Sequence, residues 1–228
     1  MEISVKNEFD LPSPAGSILA QIGSSLLKLW RAENIVLGGG TALSARWNHR
    51  ISTDIDLFVP FDQFYSVSNQ LPNLFSSAKL IRSNSGNGWF TGTYLEGEFS
   101  ISTTPSLLPK PVSVPNDLVR DWGMPIELPS EILAKKLKLR IYGNGEFVSR
   151  DFYDLCTAGE KDPQSLKMAL EILTDSEREE ISEEIQSFGT RASRMGRTLL
   201  KVHRPEWLSD LGRRTADLIK PPSEEKSV

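Results

Sequence analysis

Two aspartates, Asp54 and Asp56, have the residue type and spacing needed to bind a metal ion. They lie in the segment 54–59, DIDLFV, whose apolar residues predict a β-strand, so that both carboxylates project from one face. Two like charges held this close repel each other, and both stay ionised when a cation neutralises them. Mg²⁺ prefers such oxygen ligands and usually binds along with substrate phosphates. The alternative is a solvated edge strand with two surface acids, which the apolar neighbours make less natural.

Three consecutive glycines, Gly38 to Gly40, precede this strand and could accommodate a phosphate. Residues 34–37 predict a short strand that the glycines end, and a helix is expected to begin with Thr41 as its N-cap. Glycine lets a ligand approach the backbone, and the first turn of a helix offers unpaired N–H groups. An ordinary tight turn with a capped helix is the alternative. The short distance along the chain to the two aspartates favours the phosphate site.

The candidate residues between the glycines and the aspartates are His49, Arg50 and Ser52. Arg50 could contact a phosphate or pair with an aspartate. For His49, a simple loop position and a functional role are equal alternatives.

A second group of candidate residues lies in the segment 130–155. The helix predicted there has an apolar side formed by Ile132, Leu133, Leu137, Leu139 and Ile141. Lys136 and Arg140 fall inside this apolar arc, whereas Lys135 and Lys138 fall outside it. Since burying an unpaired charge is costly, Lys136 needs a partner, and a triphosphate or a carboxylate would serve. The alternative is a lysine whose stem packs on apolar surface while its head reaches water.

Two further aspartates follow a glycine turn, after which Ser149 can cap another helix. Asp151 falls in the first turn, where the helix dipole alone favours a carboxylate. Arg150 and Asp154 are spaced for a pair within the helix. Structural and functional roles for Asp151 and Asp154 are therefore equal alternatives.

The elements around these residues predict an α/β half followed by a helical half. A helix is expected over residues 17–31, another over 61–75 with an interruption at Pro72, and further strands over 79–82, 88–95 and 98–103. Four prolines then punctuate a long connection: Pro111, Pro115, Pro125 and Pro129. We predict a first domain over 1–125, a helical domain over 126–220 and a disordered tail over 221–228, which is polar and begins with proline.

The composition restricts the class of protein. Of the 228 residues, 39% are hydrophobic and 25% charged, as in soluble globular proteins, and the net charge of −4 argues against a generally basic nucleic-acid binder. Cys156 is the only cysteine, which excludes an internal disulfide and a cysteine-based zinc site and fits a buried thiol. Neither a signal peptide nor an apolar stretch of membrane-spanning length is seen, so we expect a cytoplasmic protein with no membrane partner.

These motifs together resemble the nucleotidyltransferase AbiEii toxin family. The residues that carry the resemblance are Gly39-Gly40-Thr41-Ala42-Leu43, His49-Arg50, Ser52, Asp54-Ile55-Asp56-Leu57-Phe58, Ile132-Leu133-Ala134-Lys135-Lys136-Leu137, Arg150-Asp151 and Asp154-Leu155. The resemblance spans roughly residues 35–160. It implies a polymerase β-like nucleotidyltransferase fold, an α/β (α+β) core with a mixed sheet that is followed by a C-terminal helical domain.

The resemblance also implies an activity, the transfer of a nucleoside monophosphate from an NTP to an acceptor in the presence of Mg²⁺ or Mn²⁺. It implies metal binding by Asp54 and Asp56, nucleotide binding by Gly39, Gly40, Thr41, Arg50 and Ser52, triphosphate binding by Lys136, and an acid that assists transfer at Asp151 or Asp154. RNA, tRNA in particular, is the implied acceptor, and a separately encoded antitoxin is the implied partner. A small-molecule or protein acceptor and a non-catalytic nucleotide-binding scaffold are the alternatives, although the intact Asp54–Asp56 pair argues against the scaffold.

Two features leave the catalytic base and the acceptor site open. Many polymerase β-like transferases carry a third carboxylate on a later strand, where this sequence offers only Glu96 and Glu98. If their segment is helical, five basic residues share one broad face: Arg191, Arg194, Arg197, Lys201 and Arg204. This face could bind an RNA backbone. We favour the alternative, a solvated face paired with the acidic segment 175–184.

Overall fold

The structure of the chain is a computed structural model that describes residues 6–75, 80–109, 113–188, 199 and 201–222. It divides into two compact units, Met1–Leu128 and Pro129–Val228. In the part of the chain that is described, none of the helices has the length and apolar character needed to cross a membrane.

The first unit is built on a mixed sheet, which confirms the predicted fold class. Its strands are β1 (Asn7–Phe9), β2 (Val36–Gly38), β3 (Ile55–Phe58), β4 (Arg82–Gly86), β5 (Trp89–Thr93), β6 (Glu98–Ser102), β7 (Ser113–Val119) and β8 (Pro125–Glu127). Their spatial order is β1-β7-β8-β2-β3-β6-β5-β4. Strand β3 pairs antiparallel with β2 and parallel with β6, so it lies inside the sheet with a neighbour on each side.

Strand β3 has the alternating pattern that its sequence predicts. Ile55 and Leu57 are fully buried on one face, while Asp56 and Phe58 lie on the other face and are partly exposed. The alternation follows from the period of two residues in an extended strand. The apolar face therefore anchors the strand in the core, and the opposite face presents the acid.

Four helices belong to this unit in the described residues: α1 (Ala15–Leu29), α2 (Gly39–Trp47), α3 (Phe61–Val67) and α4 (Leu71–Leu74). The interruption expected at Pro72 occurs just before it, as a 3-10 turn over Ser68–Gln70. Pro72 itself lies in the first turn of α4, where the missing N–H has no partner to lose.

Parts of the sheet were not predicted from the sequence. Strand β1 was missed, and the long connection expected after Pro109 contains β7 and β8, which pair with each other. Pro125 is tolerated because it is the first residue of its strand. The predicted domain boundary at 125/126 falls inside β8, and the predicted strand 79–82 is replaced by β4, since the described strand begins at Arg82.

The second unit is helical, as expected from residue 130 onward. It contains α5 (Pro129–Lys135), a π-helix over Lys136–Gly143, α6 (Ser149–Lys161), α7 (Pro163–Leu170), α8 (Asp175–Phe188), a 3-10 turn over Pro205–Ser209 and α9 (Leu211–Ile219).

The π-helix changes which side chains face the core. In a π-helix each hydrogen bond spans five residues, so every residue turns less about the axis than in an α-helix. Lys136 and Ile141 are buried, whereas Leu139 is 39% exposed and does not belong to the predicted apolar side. The prediction of which residues face the core is correct up to Leu137 and wrong at Leu139, because it assumed an α-helix throughout.

Cys156 is a buried thiol, as predicted. Burial raises its pKa to about 11, although a hydrogen bond between its Sγ and Thr215 Oγ1, 3.5 Å apart, acts in the opposite direction. The group therefore remains a neutral, unreactive thiol in the folded unit.

The predicted basic face lies only partly within the described residues. Arg191, Arg194 and Arg197 lie outside them, as do tail residues 223–228. Lys201 and Arg204 are exposed, and Arg204 pairs with Glu160 on α6 rather than with the acidic segment 175–184.

Candidate active site

The helix after the glycines begins earlier than the sequence predicted. Helix α2 starts at Gly39 with Gly38 as its N-cap, so Thr41 is not the cap. Instead, the buried Thr41 hydroxyl donates a hydrogen bond to the backbone carbonyl of Asp54. The positive φ of Gly39, +63°, lets the chain turn from β2 directly into the helix. Thr41 therefore joins the first turn of α2 to the residue that precedes β3.

Each glycine of the loop lies against a charged side chain. A Cβ at Gly39 would collide with Oδ2 of Asp56, and one at Gly40 would collide with Nη2 of Arg50. At Gly38 the obstacle would be the Glu127 carboxylate. Any side chain here would displace one of these groups, which explains three consecutive glycines in physical terms.

The two predicted metal ligands, Asp54 and Asp56, are positioned by different hydrogen bonds. Oδ1 of Asp56 accepts from Oγ of Ser100 at 2.9 Å. Oδ1 of Asp54 accepts from Thr53 Oγ1 at 3.1 Å and from the backbone N–H of Glu98 at 3.4 Å. Both acids are partly exposed, so solvent reaches them. Oδ2 of Asp56 faces Gly39, at the N-terminus of α2.

Arg50 and Ser52 are buried next to the start of α2. The Arg50 side chain donates to the Ile51 carbonyl at 3.2 Å, and its own carbonyl accepts from the Ser44 hydroxyl of α2. Both residues lie beside Gly40, so the structure brings them to the glycine loop, and their binding of a nucleotide stays a prediction. His49 is buried against Trp47, with their ring centroids 5.6 Å apart.

Strand β6 contributes Ser100, which the sequence did not identify as part of the site, and Glu98, one of the two glutamates considered as a third carboxylate. Asp56 pairs with Ser100 across the parallel β3–β6 ladder, which places the serine hydroxyl on the carboxylate. Glu98 lies two residues earlier on the same face, beside Asp54, and its carboxylate accepts from Thr93 Oγ1 at 3.0 Å. Of the two glutamates considered as a third carboxylate, Glu98 is therefore the one beside the aspartate pair. Only the strand pairing, which the sequence does not reveal, identifies it.

No group of three or more Asp, Glu, His or Cys side chains suited to hold a metal ion occurs among the described residues. Asp54 and Asp56 nevertheless have the oxygen donors that Mg²⁺ prefers. Oδ2 of Asp56 lies against Gly39. One oxygen that could bind a metal ion is therefore beside the N–H groups at the start of α2. A cation on the aspartates and a phosphate at the helix would thus be neighbours.

In the second unit, Lys136 and Arg140 bind two buried aspartates. Lys136 forms an ion pair with Asp151, and its Nζ lies 3.1 Å from Oδ2 of Asp154. Nη1 of Arg140 lies 2.8 Å from Oδ2 of Asp151. Both aspartates are fully buried. The buried lysine was predicted to need a partner, and of the two partners considered the structure supplies carboxylates.

The charges in this cluster determine the protonation state of Asp151. Burial raises its pKa, but the positive charges of Lys136 and Arg140 outweigh burial, so the pKa lies below its ordinary value. Asp151 is therefore a carboxylate at neutral pH.

Lys135 is largely buried, although it was predicted to fall outside the apolar arc. Its side chain is only 13% exposed and its Nζ lies 3.7 Å from Oε1 of the buried Glu131. Lys138 is more exposed and pairs with Glu177 at 2.6 Å. Of the two lysines predicted to lie outside the apolar arc, Lys138 is therefore the more exposed.

Two crystal structures from Helicobacter pylori share this fold. JHP933 has a TM-score of 0.56 at 18% identity, covering 89% of this chain and 88% of that one. A protein described as a candidate nucleotidyltransferase has a TM-score of 0.57 at 17% identity, covering 92% of this chain and 94% of that one. No curated protein matches the sequence.

A matching family model defines this protein as a nucleotidyltransferase. The model describes a nucleotidyl transferase AbiEii toxin of a Type IV toxin–antitoxin system and matches residues 29–220. The chain therefore belongs to the AbiEii family, as its motifs indicated. Membership implies an NTP substrate and an antitoxin partner.

Proposed function

We propose that this toxin transfers a nucleoside monophosphate from an NTP to an RNA acceptor, tRNA in particular, in the cytoplasm, and that the reaction requires Mg²⁺ or Mn²⁺. The observation that carries the proposal is the position of Asp56 over Gly39. This position brings an oxygen ligand for a metal ion to the positive end of α2, where a phosphate would bind, so a cation held by Asp56 would neutralise the carboxylate and the phosphate together.

Each group in the first unit has a proposed part in binding the nucleotide. Asp54 and Asp56 hold the metal ion, which when bound neutralises the charge shared by phosphates and carboxylates. The backbone N–H groups at Gly39, Gly40 and Thr41 bind the phosphates. Arg50 and Ser52, buried beside Gly40, bind the nucleotide with the loop, Arg50 through its positive charge and Ser52 through its hydroxyl.

In the second unit, Lys136 is proposed to bind the triphosphate. The carboxylates of Asp151 and Asp154 hold its ammonium group in one position. Because Asp151 stays ionised, it suits the orientation of Lys136 better than the donation of a proton. Asp154 then remains the candidate for the acid that assists transfer.

The experiment that tests the proposal follows the α-phosphate, which stays with the transferred nucleotide. The protein is incubated with each α-labelled NTP, total cellular RNA and Mg²⁺, and label in RNA is measured with and without a chelator. We expect label in RNA that disappears with the chelator. Label that appears in protein or in a small molecule instead would assign a different acceptor, and no transfer with any NTP would reject the activity.

A matched pair of variants tests the metal site. Asp56→Asn keeps the shape and an oxygen acceptor for Ser100 but removes the charge, so we expect transfer to fall at least a hundredfold while the thermal midpoint of unfolding is unchanged. Asp62→Asn makes the same change at an exposed position of α3 and should retain full activity. Full activity of Asp56→Asn would contradict the assignment.

A further inference from the structure

The sheet face that carries Asp56 continues across three more strands. Asp56 pairs with Ser100 on β6, Ser100 with Thr91 on β5, and Thr91 with Asn84 on β4. Residues paired directly across neighbouring strands project from the same face. All four are at least partly exposed, whereas Phe99 and the other core residues of these strands face the opposite side. These four residues form a polar, accessible face of the sheet that extends from Asp56 to β4.

Two large aromatic side chains lie on this face, Phe58 on β3, which lies against Gly38, and Trp89 on β5, further from the glycine loop. Trp89 pairs with Ser102 on β6 and with Gly86 on β4, and it is 40% exposed. A Cβ at Gly86 would collide with Nε1 of the indole and lie 2.7 Å from Cζ2, so the ring lies across the bare backbone of β4. Two strand spacings and two residues separate Trp89 from Asp56, roughly 12 Å along the sheet.

The position of the glycine loop indicates which side of Asp56 the acceptor must occupy. Strand β2, which leads into α2, is one neighbour of β3, and β6 is the other. In phosphoryl transfer the attacking and leaving oxygens lie roughly in line on opposite sides of the phosphorus. If the pyrophosphate leaves towards α2, the acceptor hydroxyl has to approach from the side of β6, β5 and β4.

Resting on the proposed function, we propose that this face is the acceptor-binding surface and that Trp89 stacks on an unpaired base of the RNA. Stacking on an aromatic ring is the usual way in which proteins bind unpaired bases, and every base has a face that can stack. Arg82 is exposed on the same face, opposite Thr93, where its guanidinium suits a phosphate of the same strand.

The charge of the protein favours an unpaired RNA end over a duplex. Binding a duplex requires many positive side chains that neutralise phosphates, and the chain has a net charge of −4. A stacked base next to one arginine needs far less positive charge. The surface therefore fits a single-stranded acceptor end that reaches Asp54 and Asp56.

The experiment compares wild-type protein with Trp89→Ala, Trp89→Phe and Leu95→Ala. Leu95 follows β5 and is 90% exposed, so it controls for the loss of an exposed apolar group next to the same strand. Affinities for a short single-stranded RNA, for the same RNA in a blunt duplex and for Mg²⁺-NTP are measured, together with the KM for RNA in the transfer assay.

We expect Trp89→Ala to weaken binding of the single strand and to raise the KM for RNA about tenfold, which corresponds to about 1.4 kcal/mol. Trp89→Phe should retain most of the affinity, and NTP affinity should not change. An unchanged RNA affinity, or an equal loss with Leu95→Ala, would overturn the inference. So would a loss of NTP affinity, because Trp89 would then contact the donor base.

The wild-type measurement separates this inference from the proposed function. If wild-type protein transfers label to RNA and Trp89→Ala does so with an unchanged KM, only the acceptor surface is wrong. If wild-type protein labels a protein or no acceptor at all, the proposed function fails, and the acceptor surface fails with it.

Discussion

At Gly39 the backbone has a φ of +63°, and a Cβ would collide with the Asp56 carboxylate. We expect Gly39→Ala to displace that carboxylate and to abolish Mg²⁺-dependent NTP binding, measured by titration calorimetry. Gly123→Ala is the matched control in the same unit. Its φ is +64°, but its nearest neighbour is Ala32 Cβ at 4.0 Å.

Both alanine variants share the backbone strain of a positive φ, about 1–2 kcal/mol for a residue with a Cβ. Only Gly39→Ala adds the collision with Asp56. Equal NTP affinities of the two variants would therefore show that the space over Gly39 is not part of the nucleotide site.

Asp151 gives the stability of the second unit a defined dependence on pH. Because its pKa is lowered in the folded state, its contribution is present above the ordinary pKa of about 3.9 and is lost as the pH falls through the folded value. Asp151→Asn leaves Lys136 and Arg140 with less negative charge, and we expect it to lower the free energy of unfolding by about 3 kcal/mol at pH 7. Urea denaturation between pH 7 and pH 3 measures this difference.

The difference between wild type and Asp151→Asn should shrink only below about pH 4. Asp217→Asn, the same change at an exposed position of α9, should have little effect at any pH. A difference that stays constant down to pH 3 would mean that packing, rather than charge, is what the variant loses.

Among the elements, α2 holds the strand that carries the acids. The Thr41 hydroxyl donates to the Asp54 carbonyl, and Thr41 is fully buried. Thr41→Val keeps the shape and removes this bond, so we expect a loss of about 1–2 kcal/mol in stability and a weaker affinity for Mg²⁺-NTP. Thermal unfolding and NTP titration measure the two effects.

Thr157→Val is the matched control, because among the described residues its hydroxyl bonds only to the Tyr153 carbonyl within α6. If both variants bind NTP as the wild type does, the link between α2 and Asp54 has no part in positioning the acid.

The sequence predicts elements well where one residue pattern determines them. The alternation around Asp56 identified the strand and its two faces, because burial of one face enforces a period of two, although β3 begins at Ile55, one residue after Asp54. The roles of Ser100 and Glu98 could not be found in this way, since they depend on which strand pairs with β3. That pairing is set by contacts between residues that are 44 positions apart.

The second unit shows a different limit of prediction from sequence. Lys136 was recognised as a buried lysine and Ile141 as a core residue, but Leu139 was assigned to the wrong side because the segment from Lys136 is a π-helix. Such segments are rare, and they are frequent at functional sites. The phase of a regular helix can therefore misplace a side chain where the hydrogen-bond pattern changes.

At the scale of the whole molecule, the two units carry different candidate groups. The first contains the glycine loop, the aspartate pair and the acceptor surface, and the second contains the Lys136 cluster. Variants can therefore be assigned to one unit, but an overall unfolding curve adds the two together and does not show which unit has been weakened.

The single cysteine offers a way to follow one unit alone. Cys156 is buried in the second unit, and burial raises its pKa to about 11, so a thiol reagent reacts only when that unit opens. The labelling rate in native buffer then reports the opening equilibrium of the helical unit. We expect Asp151→Asn to accelerate labelling roughly a hundredfold and Gly39→Ala to leave it unchanged. Acceleration by both would show that the two units open together.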